Sequence, residues 1–214
     1  MDIFDLKSRI QSSYFDYQKL MSLLKESTHA RRVIGALISK GLIIRIKKGL
    51  YVWGPKWEKK LLSKEIMANL IYGPSYVSLE YALSYYHLIP ERVETVTSVT
   101  TKRKKKFDTP MGAFTYDVLH SNNFPMGVYL KKFDDKNSFM IASPEKSFLD
   151  TIALRLNSSD LSVLEMKQVL EQDLRIDMNE FKKLDRKKML ELAKHYRQSS
   201  IKVFSNYLKA NDHE

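Results

Sequence analysis

Cysteine is missing from all 214 residues. Disulfides, iron–sulfur clusters and thiolate zinc sites are therefore excluded, and a reducing compartment is allowed. Glycine is scarce and scattered, with seven residues and no glycine-rich phosphate loop. No serine stands in a G-x-S-x-G context. The five histidines, at positions 29, 87, 120, 195 and 213, show no H-x-x-x-H ligand spacing. No stretch approaches 18 consecutive apolar residues, so none reads as a membrane span. The opening "MDIFDLKSRI" holds two acids and no apolar h-region, unlike a secretory signal, and the expected location is the cytoplasm. No internal repeat and no low-complexity segment is visible.

What the chain has in excess is positive charge, a net +11. The excess is uneven. Residues 1–57 hold eleven Lys/Arg against four Asp/Glu, whereas residues 58–214 hold twenty-five against twenty-one. A small, strongly basic unit suits a polyanion, most often nucleic acid. The concentration is highest in "STHARRVIGALISKGLIIRIKKGLYVWG", Ser27 to Gly54, with six cations and no acid.

Apolar spacing divides the first 57 residues into three helices and a hairpin. Ile3, Leu6 and Ile10 make a short stripe. Asp16 is placed to cap a second helix whose face is Tyr17, Leu20, Met21 and Leu24. Ser27 or Thr28 can cap a third, with Ala30, Val33, Ile34, Leu37 and Ile38 inward and Gly41 just past its end. Alternation then predicts a strand with Leu42, Ile44 and Ile46 on one face and Ile43, Arg45 and Lys47 on the other. "KKG" turns it into a second strand, "LYVW". This is the pattern of a winged helix-turn-helix, closed by the exit segment "GPKW".

Beyond it, residues 58–71 and 76–87 read as helices. Residues 93–101, 113–120, 127–133 and 138–142 read as strands of an antiparallel meander. Ser143-Pro144-Glu145 starts another helix, with a cap, a proline at the first turn and an acid on the positive dipole end. Helices fill the remainder. The expected class is α+β: a winged helix-turn-helix over 1–57, then a mixed domain over 58–214 with an antiparallel sheet and C-terminal helices.

With the apolar stripe of the third helix turned inward, Thr28, His29, Arg31, Arg32, Gly35, Ser39 and Lys40 remain outward. A helix in a major groove presents base-reading side chains from its N-terminal half, where Arg31 and Arg32 lie. An arginine fork can pair a guanine edge or clamp a phosphate. Arg45, Lys47 and Lys48 would contact flanking phosphates or the minor groove. The candidate DNA contacts are thus Thr28, His29, Arg31, Arg32, Lys40, Arg45, Lys47 and Lys48. A second set is the run Lys102, Arg103, Lys104, Lys105 and Lys106 between two predicted strands, which can equally be a charged hairpin tip that discourages edge pairing. No catalytic residue, metal ligand or cofactor site is expected. The competing class is a metal-dependent nuclease with a winged-helix targeting unit, for which Asp108 and Asp117 would have to converge.

These residues also resemble a known family. "RRVIGALISKGLIIRIKKGLYVWG" is similar to the N-terminal winged helix of AbiEi-type antitoxins. "YVSLEYALSYYHLIPERVETVTSVTTKRKKKFDTPMGAFTYDVL" looks like that family's more specific second block, and "IASPEKSFLDTIAL" resembles its following helix start. The resemblance runs from about Phe15 to Arg155. It implies an antitoxin of a bacterial abortive-infection, toxin–antitoxin module. Such a protein binds inverted repeats in its own promoter as an autorepressor. It counteracts a nucleotidyltransferase-like toxin through its C-terminal domain, without a stable complex. Double-stranded DNA, with self-association on it, is the expected partner. The promoter role would fall on the first set of cations, and the antitoxin role on 58–214 without assignment to single residues.

Overall fold

The computed structural model describes residues 3–24, 29–57, 63–119, 124–156 and 162–211. Its first helices are α1 (Ile3–Arg9), α2 (Tyr17–Leu23) and α3 (Ala30–Ser39). The Asp16 carboxylate accepts from the Lys19 amide at 2.7 Å and caps α2. Between α1 and α2, where the sequence announces only a connection, lies a short strand, β1 (Tyr14–Asp16). It pairs antiparallel with β3 (Leu50–Trp53), which pairs with β2 (Ile43–Lys47). The result is a three-stranded sheet in the order β1-β3-β2 rather than a lone hairpin. Three residues are too few to show alternation, so this strand exists because β3 offers it an edge.

The small sheet is covered on both faces. Phe15, Ile43, Tyr51 and Trp53 pack under the helices with Leu6, Ile10, Leu20, Leu24 and Ile34. On the rear, Ile46, Leu50 and Val52 pack with Ile66, Met67 and Ile71 of α4 (Lys64–Ile71), in a core shared with the larger sheet. The alternation expected for 42–47 holds from Ile43 to Ile46, with Ile43 and Arg45 on the helix side and Ile44 and Ile46 on the rear, and fails at Lys47. Ile43 is 1% exposed, and a bulge between Arg45 and Lys47 leaves Arg45 opposite Tyr51 and Lys47 opposite Leu50. One extra residue in a strand turns the following side chains onto the other face. Arg45 stays on the helix side, and Lys47 goes to the rear.

Two glycines fix the base of the hairpin. Gly41 follows α3 at φ +63°, a conformation that side chains resist. Gly54 leaves β3 so close by that a Cβ there would sit 1.9 Å from the Gly41 carbonyl oxygen. Its amide donates to the Leu42 carbonyl at 2.9 Å.

The larger sheet holds β4 (Ser75–Val77), β5 (Val96–Thr100), β6 (Lys105–Thr109), β7 (Gly112–Val118), β8 (Val128–Lys132) and β9 (Ser138–Ala142). Their order is β6-β7-β5-β4-β9-β8. It is mixed, not an antiparallel meander: β5 runs parallel to β7, and β4 to β9. Burial explains the arrangement. All of β5 is buried and belongs in the middle, whereas β6 carries Lys105, Lys106 and Asp108 and fits an edge. The expected helix over 76–87 is instead β4 followed by α5 (Leu79–Tyr85), because Tyr76 and Val77 complete the sheet. Of the expected helix over 58–71, α4 begins at Lys64 behind the Ser63 cap, and residues 58–62 lie outside the described ones.

Helix α6 (Pro144–Arg155) starts as the sequence indicates, with Ser143 Oγ accepting from the Lys146 amide at 3.1 Å. It packs against the tail helices α7 (Met166–Gln168), α8 (Met178–Phe181), α9 (Arg186–Ala193) and α10 (Ser199–Ala210). Phe148 meets Phe181 and Phe204 with ring centroids 5.0 and 5.2 Å away. The architecture is thus mixed α and β, ending in helices. Among the described residues no helix is long and apolar enough to cross a membrane.

One polar joint lies inside this packing. Asp150 is fully buried and accepts from four donors: Lys146 Nζ at 3.0 Å, Tyr196 OH at 2.5 Å, Tyr76 OH at 3.0 Å and Ser78 Oγ at 2.8 Å. The Lys146 ammonium sits between the Tyr76 and Tyr196 rings, 5.2 and 5.1 Å from their centroids. β4, α6 and the segment before α10 are pinned at this point.

Two further carboxylates predict the acid response. Burial raises the pKa of Asp117, but bonds from Lys104 and Arg155 more than offset it, so the net pKa lies below the ordinary 3.8. Burial likewise raises the pKa of Glu145, but bonds from Lys188 and Ser143 outweigh it, so the net pKa lies below the ordinary 4.5. Each group binds its proton less readily folded than unfolded. Its stabilisation is complete above the ordinary value and is lost as pH falls through the lower folded value. The urea midpoint should therefore drop between about pH 5 and pH 2. The Asp117→Asn/Glu145→Gln variant should show a shallower drop. An identical acid slope for that variant would refute the assignment.

Candidate nucleic-acid interface

The outward flank of α3 follows from its inward one. Ala30 and Ile34 are buried and Val33, Leu37 and Ile38 half-buried, which leaves Arg31 and Arg32 exposed on the first turn. Gly35, one turn on, has nothing within 4 Å of where its Cβ would stand, so the helix surface there is open. His29 occupies the N-cap position, exposed and without a side-chain cap bond. Thr28 lies outside the described residues.

Arg31 turns toward the hairpin. Together with Arg45 and Lys48 it rims an open cavity of about 330 Å³ whose remaining lining is Tyr17, Ile34, Gly49 and Tyr51. No acid is among these residues. Sequence distance hid the two tyrosines. Tyr17 fits the core face of α2 by spacing, yet its amide donates to the Gly49 carbonyl at 3.1 Å and fastens α2 to the hairpin turn. Its hydroxyl, in an otherwise apolar stripe, is the one local clue. An aromatic floor under three cations can hold a phosphate on the rim and a sugar or ring against the wall.

The other cations of the first set part company here. Lys40 is the C-cap of α3 and exposed. At nine residues from Arg31 it lies roughly 13 Å along the helix axis. It extends the exposed flank rather than joining the cavity. Lys47, expected beside Arg45, is carried by the bulge to the rear of the sheet, half-buried, with its ammonium on the Ile71 carbonyl at the end of α4.

The second set also divides. Lys104 pairs with Asp117 at 2.7 Å and Lys106 with Asp108 at 3.3 Å. Arg103 is exposed. Lys102 donates to the Gly73 carbonyl at 2.6 Å, and Lys102 and Lys105 lie 5.6 and 5.4 Å from the Tyr72 ring centroid. Lys47 and Lys102 thus hold carbonyls on either side of Tyr72, whose ring Lys105 also approaches, and burial, then the charges of Lys102 and Lys105, lower the pKa of Lys47.

Asp108 and Asp117 do not converge. Asp108 faces Ala113 across the β6–β7 pair, and Asp117 lies four residues further along β7, roughly 13 Å away. Asp108 is exposed beside Lys106, while Asp117 is buried on Arg155, at 2.8 Å, and Lys104. Arg155 also bonds Glu80. Each carboxylate already faces a cation, which opposes a shared cation site. Among the described residues no group of three or more histidines and acids is gathered where it could hold a metal ion.

No protein-family model matches this chain. No curated protein matches it either.

Proposed function

We propose that this chain is a DNA-binding transcriptional repressor whose first 57 residues form a winged helix-turn-helix, and that it serves as the antitoxin of an abortive-infection module. The observation that carries the DNA half is the convergence of Arg31, Arg45 and Lys48 on one open cavity, beside an exposed helix flank and without an acid. Three helices followed by a β2–β3 hairpin are the parts that a winged helix uses, with α3 as the element for the major groove. Cations on the hairpin suit the adjoining phosphates. The antitoxin half is supported by the resemblance of residues 76–119 and 141–154 to the AbiEi-type family.

The DNA half is tested by fluorescence anisotropy of the full chain on a duplex from its own upstream region, against a scrambled duplex. Binding should favour the upstream duplex and weaken with salt, with a log–log slope of about 0.9 per phosphate contacted. Failure to bind either duplex, or binding indifferent to salt, would refute it. The antitoxin half is tested by co-expression with a nucleotidyltransferase-like toxin encoded beside this chain. Growth should be restored by the full chain, and no restoration would remove that half.

A further inference from the structure

We propose that Lys47, Lys102 and Lys105 form a second phosphate contact, on the rear face of the β2–β3 hairpin, so that duplex DNA meeting the hairpin tip is held from both sides. This rests on the DNA-binding reading above and adds a surface outside the N-terminal unit to it. Lys48 belongs to the cavity on the helix side, and its chain neighbour Lys47 belongs to the rear. The tip is therefore charged on both faces, because the bulge at Ile46 divides the basic run.

The rear cluster is unlike the ordinary charges of an edge strand. Lys104 and Lys106 have carboxylates. Lys47, Lys102 and Lys105 have carbonyls and aromatic rings instead, and among the described residues no carboxylate pairs with any of them. Like charges gathered without a counter-charge oppose one another. The fold gathers them nonetheless. The carbonyls of Ile71 and Gly73, at the negative end of α4, hold Lys47 and Lys102 in place. An ammonium has three donors, so each of these two keeps donors to spare. The Tyr72 ring is shared by Lys102 and Lys105, which both approach its centroid. An arriving phosphate supplies the counter-charge that this cluster lacks. Duplex DNA is the occupant because the same tip carries Arg45 and Lys48 on its other face, and a groove offers a phosphate strand on each side.

Lys105 is the residue to change, since it is exposed and donates to no backbone group that the fold depends on. Salt-titrated anisotropy would be run on the full chain with Lys105→Ala, Lys105→Glu and, as the neutralised neighbour, Lys106→Ala. Thermal melting would confirm that all three remain folded. Lys105→Ala should lower the log–log slope by about 0.9 and weaken upstream and scrambled duplexes by the same factor. Lys105→Glu should weaken both further, and Lys106→Ala should leave the slope in place. Wild-type slopes for both Lys105 variants would overturn the proposal and leave the DNA reading standing. An equal loss in Lys106→Ala would overturn it too, by showing diffuse charge rather than a site. Lys105-dependent capture by anionic lipid vesicles, with duplex binding unchanged, would give the cluster to another surface. Absence of any duplex binding by the wild type would instead remove the parent reading.

Discussion

Alanine in place of Asp150 is expected to cost about 3–5 kcal/mol of folding stability, the range for stripping one partner from a buried ion pair. The expectation comes from what would be left behind. Lys146 is 2% exposed, and its ammonium would lose its only carboxylate among the described residues. The hydroxyls of Tyr76, Ser78 and Tyr196 would lose their acceptor at the same moment. Those tyrosines do not readily relieve the charge by ionising, because burial, the largest cause raising their pKa, persists when Asp150 is gone. Lys146→Met should cost less than Asp150→Ala, since a neutral thioether leaves a carboxylate that still accepts three hydroxyl bonds. The double variant should fall well short of the sum of the two, as residues in one network do. Urea denaturation of the full chain measures all three. A loss under about 1 kcal/mol for Asp150→Ala would mean that the joint is not what fastens the tail to the sheet.

The second large effect concerns binding rather than folding. Arg31→Ala/Arg32→Ala should weaken affinity for the upstream duplex by at least tenfold, since a bidentate arginine–guanine pair is worth about 1–3 kcal/mol. Both side chains are exposed, so stability should stay within about 0.5 kcal/mol of the wild type. The way the loss is distributed identifies the contacts. A base-reading pair lowers affinity for the upstream duplex and spares the scrambled one. A phosphate-binding pair lowers both and takes about 1.8 from the salt slope. Arg31, which rims the cavity with Arg45 and Lys48, should act on phosphate, and Arg32 should act on sequence. Unchanged affinity in the double variant would end the case for α3 as the recognition element.

Local chemistry made some of this legible in the sequence. The α3 stripe, the Asp16 cap, the "KKG" turn and the Ser143-Pro144-Glu145 start each depend on a few adjacent residues, and each is found where expected. What escaped depends on partners far along the chain. β1 is a strand because β3 has a free edge, and β4 because β5 and β9 flank it. Lys47 misled for a related reason. Period-two alternation puts it beside Arg45, and a bulge leaves no mark in composition, so only pairing with Leu50 shows the reversal. In the second basic run the residue types were plain, but their division into neutralised and unneutralised lysines depends on Asp117, Asp108 and the end of α4.

The apolar rear of the small sheet bears on how this protein can be handled at the bench. A fragment stopped near residue 57 would bare Ile46, Leu50 and Val52, which the intact chain seals against α4. Such a piece invites self-adhesion through its uncovered strands and loses the support that shapes the hairpin tip. A test of the proposed DNA binding on such an isolated head would therefore measure its missing backing as well as its cations.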